Sequence, residues 1–456
     1  MLNRSLKFHR EHKVSQRCTE FFFSANLRLY FLCVLCATVF SVSAQEVMSV
    51  EQAIELALKN NYDIQIAKNR SEISSLNNSA GNAGMLPKVN ATLSDNANLN
   101  QVNQKFSSGL EVDKNNVVGN NLNASLNLSW TLFDGLKMFA TKSKLKRLQE
   151  IGELNYKDTL QTVVAQTINA YYDIVSATEL ARALKDETLV LEERVVLAQK
   201  RFDVGSSSKV DLLQAKVDLN EAKSLLLTQK KLIEQKKAEL NRLLVRNAET
   251  EFTVSDSIPF NYEPKIELND LEKNNFQLQA ALKNVEISKL TKKETFSQFL
   301  PNLTANGGYG FNRSQSSGGF SLYGQTYGLS GGFALTIPLF NGLVSLRQYK
   351  VAGIQILNSQ FALEKARAQI KINFYRALKD FETAKQILKL EEENILLADE
   401  NQKIALERFR LLQSTTTELR AAQKSFEEAE VRLVSARYAA KVAETELMRL
   451  QGVLVK

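Results

Sequence analysis

The residue types best suited to covalent and metal chemistry are crowded into one end of this chain. Its three cysteines (Cys18, Cys33, Cys36) and both histidines (His9, His12) precede residue 45. Around them Lys7, Arg10, Lys13, Arg17 and Arg28 lead into an apolar run from Leu29 to Val42, and Val42-Ser43-Ala44 offers a small-residue cleavage site before Gln45. This is the pattern of a secretory leader over 1–44, because ~14 apolar residues fall short of the ~20 that a spanning helix needs. Leu32 and Leu35 stand directly before Cys33 and Cys36, where a lipidation site wants a small residue. Past the leader the chain has no thiol nucleophile, imidazole base, disulfide or usual zinc ligand set. Neither a Gly-Lys-Ser/Thr phosphate loop nor a dinucleotide fingerprint occurs. No enzyme, no cofactor and no bound metal are expected. Six of the 58 Lys/Arg and two of the 50 Asp/Glu fall in the leader, leaving a net charge of +4 after it. Those charges are mixed along helices, so no nucleic-acid footprint is read.

The rest of the chain is written twice. Lys59-Asn60-Asn61-Tyr62 recurs as Lys273-Asn274-Asn275-Phe276, 214 residues on, and Leu86-Pro87 as Leu300-Pro301. Further along the offset is 207: Leu132-Phe133-Asp134-Gly135 returns as Leu339-Phe340-Asn341-Gly342, and Arg201-Phe202 as Arg408-Phe409. A tandem duplication is one structural unit used twice.

Two kinds of segment make up each unit. The first alternates. Leu122, Ala124, Leu126, Leu128, Trp130 and Leu132 are separated by Asn123, Ser125, Asn127, Ser129 and Thr131, and similar runs begin at Pro87, Pro301 and near Gln325. Period two puts one strand face in apolar surroundings, and the uncharged Asn/Ser/Thr/Gly on the other suits transmembrane β-strands. Trp130, Tyr309, Phe311, Tyr327 and Phe333 are the candidate membrane-interface aromatics. Lys105–Asn121 and Arg313–Gln325 read as polar loops. The second kind is a helix of about 100 Å, with no proline between Gly135 and Phe202, followed by a shorter return helix. One heptad-like stripe runs Leu184, Thr188, Leu191, Val195, Ala198, Phe202. A second, Ala183, Val190, Leu197, Val204, returns as Leu390, Leu397, Ile404, Leu411. Two stripes require two neighbours. The return helix carries Ala422, Phe426, Ala429, Leu433, Ala436, Ala440, Ala443, Leu447 and Leu450, and its first copy has the polar breaks Gln229 and Lys236.

The expected layout is therefore a leader (1–44), a first repeat (45–245), a connector (246–267) and a second repeat (268–456). The first repeat has a helix, strands 88–104 and 121–133, a long helix 135–204 and a return helix 209–245. The second has a helix, strands 301–313 and 325–339, a long helix 342–411 and a return helix 416–451. Asp134 and Asn341 are expected to cap the long helices. Four lipid-facing strands cannot close on themselves, since every spanning strand needs partners on both edges. The barrel must be assembled from several copies, and physics permits two, three or four.

The duplicated Lys-Asn-Asn-Tyr/Phe, the Leu-Pro before each first strand and Leu-Phe-Asp/Asn-Gly after each second, joined by Arg201-Phe202-Asp203-Val204-Gly205 and Asp211-Leu212-Leu213-Gln214-Ala215, resemble TolC-type outer-membrane efflux proteins. The resemblance covers essentially everything after the leader. It implies an α+β membrane protein of a Gram-negative bacterium: a homotrimer with a 12-stranded β-barrel in outer-membrane lipid and a long antiparallel coiled-coil tunnel through the periplasm. It also implies docking to a periplasmic adaptor and an inner-membrane RND or ABC pump, with small solutes such as drugs or metals passing through. Within the same fold it leaves type I protein secretion open; outside it, a periplasmic or surface coiled-coil structural protein.

The resemblance further implies that the helix turns form a tip that adaptors engage. The candidates are Val204, Gly205 and Ser206 in the first turn and Leu411, Leu412 and Gln413 in the second. The second departs from the pattern, with Leu412 where glycine is usual. It implies acidic gate residues as well: Glu418, with Asp211 as its counterpart. In a trimer Glu418 would give a ring of three carboxylates, which focuses cations, although Ala421 lacks the second carboxylate. Helix capping is the competing role for both acids.

Overall fold

The computed structural model describes residues 47–254, 257–260, 268–318, 321–411 and 413–455. The expected leader and residues 261–267 of the connector lie outside these. Two units are present. The smaller holds β1 (Val47–Met48), paired in parallel with β4 (Thr253–Val254). The larger comprises Ser49–Thr250 and Asp256–Lys456. Its elements are α1 (Val50–Asn60), α2 (Tyr62–Asn77), β2 (Lys88–Lys105), β3 (Glu111–Asp134), α3 (Lys137–Asp203) and α4 (Lys209–Leu244), then α5 (Leu268–Asn274), α6 (Phe276–Phe296), β5 (Asn302–Ser316), β6 (Tyr323–Thr336), α7 (Val344–Arg410) and α8 (Thr416–Leu450).

Helices α3 and α7 each hold 67 residues, about 100 Å of rise. The return helices α4 and α8, of 36 and 35 residues, cover only half of that. Shorter helices take up the remainder: α1 and α2 pack on α3, and α6 lies between α3 and α7. The duplicated Lys-Asn-Asn motif makes the junction. Asn61 Oδ1 accepts from the N–H groups of Asp63 (2.9 Å) and Ile64 (3.3 Å), capping α2, while its Nδ2 donates to the Leu243 carbonyl at the end of α4 (2.9 Å). Asn275 repeats this, with Oδ1 accepting from Leu278 N (3.1 Å) and Nδ2 donating to Leu450 O (3.3 Å). One buried amide thereby satisfies orphan groups of two helix ends at once.

The core between α6, α7 and α8 follows the apolar spacing. Leu278 and Val285 meet Leu363, Ile370, Phe374, Ala377 and Phe381, with Leu447 and Leu450 closing the cluster. Further along, Leu388 packs with Leu433, Ala436 and Ala440. On α4 the polar breaks have partners on α3: Gln229 Nε2 donates to the Ala177 carbonyl (2.9 Å) and Lys236 pairs with Asp173 (2.5 Å).

The strands form one antiparallel sheet in the order β2-β3-β5-β6. Its first hairpin differs from expectation. Residues 105–121 are not a loop: β3 begins at Glu111, and only Phe106–Leu110 turn, with Gly109 at φ 85°. Val112, Val117 and Val118 stand among the Asn and Lys of this stretch and support strand (β-branched residues suit the pleat), and Lys105 and Glu111 pair across its mouth. At the other end β6 stops at Thr336 rather than 339. Neither long helix has its expected cap. Leu136 and Leu343, both left-handed, hold the N-cap positions without a side-chain bond. Asp134 still accepts from Met138 N (3.0 Å), but Asn341 bonds to Ser345 Oγ instead (2.6 Å).

Gly135 and Gly342 share φ near +65° but not surroundings. A Cβ on Gly135 would meet the Ser297 carbonyl oxygen at 2.7 Å, whereas one on Gly342 meets nothing within 4 Å. Gly342→Ala should therefore cost only the left-handed penalty, about 1 kcal/mol, and Gly135→Ala about 2 kcal/mol or more. Thermal unfolding of the detergent-solubilised protein measures this; equal shifts would show that the approach to Ser297 is immaterial.

Candidate conduit surfaces and helical tip

Register decides what each sheet face is made of. Residues directly paired across the four strands share a face. One such rung is Ala91, Leu126, Tyr309, Leu329; the next on that face is Leu93, Ala124, Phe311, Tyr327. The rungs between belong to the other face and read Thr92, Ser125, Gly310, Gly328 and Asn90, Asn127, Gly308, Ser330. Toward the helices the apolar face continues through Trp130, Ala305 and Phe333 to Phe133, Leu303 and Leu335. Leu132 drops out of its expected series because a bulge between Thr131 and Phe133 inserts one residue and hands its place to Phe133. From residue 303 to 311 of β5 this face carries no charge; the next rung out places Asp95 and Arg313 on it, flanking Leu122. Nine residues of strand match the ~9–11 that a bilayer core requires.

The candidate interface aromatics fall on this face at two levels. Trp130 pairs with Ala305, which pairs with Phe333, nearest the helices; Phe311 pairs with Tyr327 six residues along, with Tyr309 one rung inward. Trp130 is held in place, its indole N–H donating to the Met85 carbonyl (3.0 Å).

At the opposite end of the long helices the two turns lie side by side. The Arg201 guanidinium sits 4.5 Å from the centre of the buried Phe409 ring, joining the ends of α3 and α7. Val204, Gly205 and Ser206 are exposed there, with Gly205 at φ 73° and Ser206 N donating to Arg201 O (2.9 Å). Leu411 and Gln413 are exposed too, and Gln413 N donates to Arg408 O (2.8 Å); Leu412 lies outside the described residues.

The two gate candidates differ in what they bond. Asp211 completes a capping box with Ser208, and its carboxylate also accepts from Ser207 Oγ (2.9 Å). The Ser208 hydroxyl, then Ser207 and the Ser208 amide, hold its pKa below the ordinary carboxylate value. Glu418 gives only its backbone to a cap, its N–H reaching Thr415 Oγ1 (3.2 Å). Its exposed carboxylate enters no ion pair or hydrogen bond among the described residues. Arg201 and Arg408, which end the preceding helices, meet Phe409 and the Gln413 carbonyl.

Just behind the tip stands a group that the repeat alone did not mark. The buried Asp218 of α4 accepts from Arg420 of α8 (2.9 Å), from Gln214 (2.8 Å), and faces Arg194 of α3 at 3.3 Å. Applying the 207-residue offset, these positions align with Ser425, Leu213 and Asn401. The only sequence signal was thus a difference between copies. Higher up, Glu187 of α3 faces Glu427 and Glu430 of α8 and Glu221 of α4. Burial, with the charges of those three and a hydrogen bond to Glu427, pushes it up to about 7. Among the described residues no three His, Cys, Asp or Glu are placed to hold a metal ion, and no helix is long and apolar enough to cross a membrane.

The second stripe foreseen on the long helices is left largely uncovered in its second copy by the described residues. Leu390, Leu397, Ile404 and Leu411 are 53–66% exposed, whereas Leu184, Thr188 and Leu191 of the first are buried.

The family profile described as "Outer membrane efflux protein" matches residues 53–245 and 268–453. Protein CyaE of Bordetella pertussis is 23% identical over 289 residues, 62% of this chain and 59% of that protein. Alkaline protease secretion protein AprF of Pseudomonas aeruginosa is 24% identical over 324 residues, 68% of this chain and 64% of that one. The match thus spans about three fifths of these relatives' own length. The fold is that of the Campylobacter jejuni CmeC outer membrane channel, with a TM-score of 0.74 and 19% identity over 88% of this chain and 85% of that one.

Glu187 makes stability depend on pH. Its folded pKa lies above the unfolded value, so the folded state holds the extra proton between about 4.5 and 7. The resulting stabilisation is full below that window and is lost as pH rises through 7. Glu427 and Glu430, also raised chiefly by burial, act in the same direction. Helix unfolding should occur at higher temperature at pH 5 than at pH 8, and Glu187→Gln should shrink the difference; an unchanged difference refutes the assignment.

Proposed function

Because the chain belongs to the outer membrane efflux protein family, we propose that it is the outer-membrane exit duct of a tripartite efflux system. It passes small solutes received from a periplasmic adaptor and an inner-membrane pump. The observation that carries this reading is the sheet with one uncharged apolar face and two open edges. A lipid-facing sheet must have every edge hydrogen-bonded. In a trimer, β6 of one copy pairs with β2 of the next, closing a barrel of 12 strands. The polar face of Asn, Ser, Thr and Gly then lines the pore. The same closure gives the exposed stripe through Leu397 and Ile404 its missing neighbour. The duct does no covalent chemistry; the driving energy is supplied by the pump.

The turns carrying Val204, Gly205 and Ser206 and, in the second repeat, Leu411 and Gln413 with Leu412 between them are the proposed adaptor contacts, since the described residues of both, Leu412 not being among them, are exposed and the Arg201–Phe409 stack joins the two helix ends. Of the two acids, the proposed gate residue is Glu418. Its carboxylate is free at the surface while that of Asp211 is engaged in capping. A second reading, export of a polypeptide by a type I system, is favoured by the similarity to AprF, a protease secretion protein. Family membership displaces the purely structural coiled-coil alternative.

The solubilised protein should run as a trimer and form ion-conducting pores in planar bilayers. A monomer without conductance defeats the proposal. Glu418→Ala should raise single-pore conductance while Asp211→Ala mainly lowers thermal stability; no change in conductance returns Glu418 to a capping role. Deleting the gene should sensitise cells to small toxic solutes, whereas loss of a secreted protein with unaltered solute sensitivity selects the second reading.

A further inference from the structure

Where the strands hand over to the helices there is an open groove of about 850 Å³ that the duct reading leaves without a role. Its walls come from the start of α3 (Leu136, Phe139), the last turns of α6 (Lys289, Lys292, Lys293, Phe296) and the start of α7 (Tyr349). The apolar members Leu136, Phe139 and Phe296 are 48–57% exposed. The three lysines occupy positions i, i+3 and i+4 of one helix, where like charges repel. None of them forms an ion pair among the described residues. The nearby carboxylate of α6, Glu294, is taken by Lys144 (2.5 Å) and Thr141 (2.7 Å). Lys292 lies 4.6 Å from the centre of the Tyr349 ring, which offers it an aromatic face but no counter-charge.

Three uncompensated ammonium groups beside exposed leucine and phenylalanine fit one chemistry, a phosphate-bearing headgroup with an acyl chain attached. A free phosphate has no use for the apolar wall. Position agrees: Gly135, which lines the groove, is five residues beyond Trp130 on the row nearest the helices, so the groove opens where that end of the apolar sheet face meets water. Clustered lysines at a membrane surface attract anionic lipid headgroups.

We propose that this groove binds the headgroup of an anionic phospholipid in the leaflet on the helix side of the membrane. The lysines contact the phosphate, and Leu136, Phe139 and Phe296 take the first part of the acyl chain. This rests on the sheet spanning a bilayer. The bound lipid neutralises a repulsive cluster and anchors the joint between barrel and tunnel.

The test is native mass spectrometry of the detergent-purified protein titrated with phosphatidylglycerol or phosphatidylcholine. Phosphatidylglycerol should be retained preferentially. The triple variant K289Q/K292Q/K293Q should lose retention by on the order of 100-fold, at about fivefold for each ammonium. Should the triple variant misfold, Lys293→Gln alone should give the fivefold loss. Equal retention of the two lipids, unaltered retention in the variants, or displacement by millimolar inorganic phosphate overturns the site. So does protection of Lys289 and Lys293 from acetylation in lipid-free protein, which means that a second copy covers the groove. Pore formation is measured on the same preparation. Intact pores without lipid preference sink the lipid site alone, whereas absence of pores sinks the reading beneath it.

Discussion

Strands β2 and β6 each leave a line of backbone N–H and C=O groups with no strand partner among the described residues. In water such an edge is a hazard; in lipid it is untenable, because each unsatisfied group costs several kcal/mol. The apolar face that ends at the Asp95 and Arg313 rung puts these edges in lipid. The proposed closure between copies would satisfy them, and it would bring the long helices together between copies as well. The exposed stripe of α7 suits that contact from the other end of the molecule. Two surfaces far apart along the chain therefore call for the same neighbour.

Much of this was legible in the residues. Alternation located the strands, and the heptad spacing on the return helix picked out most of its core, from Ala422 to Leu450. The duplication gave two copies of each element and, at Asn61 and Asn275, two copies of one junction. What the residues hid were contacts that depend on register or on a third helix. Residues 105–121 looked like a loop because Asn and Lys dominate them, yet pairing with β2 extends the strand well beyond the apolar region. The bulge that replaces Leu132 by Phe133 leaves no mark in a pattern of successive apolar residues. Asp218 looks like an ordinary exposed charge until Arg194 and Arg420 are brought to it from two other helices.

Those hidden contacts share a feature: they break the equivalence of the halves. The Asp218 group and the Glu187–Glu427 pair both join α3 to α8, that is, the first repeat to the second. The Asn61 and Asn275 junctions, by contrast, each lie within one repeat and are alike. Duplication preserved the junction inside each unit, while the contacts that tie the two units together at Asp218 and Glu187 are single. For the tip this means that two neighbouring turns are held by unlike chemistry: Asp211 is tied into its own capping box, while the carboxylate of Glu418 is left free.

The equal length of α3 and α7 sets a rule for how such a conduit can change its reach. Each added residue turns the following side chains by about 100° and advances them 1.5 Å. A single insertion would swing the outward stripe away from the direction it now faces, and an insertion in one half only would leave the two turns at unequal heights. Growth or shortening is therefore quantised: whole heptads, in both halves together, in increments of about 10 Å. The reach of the helical part is a stepwise quantity rather than a continuous one.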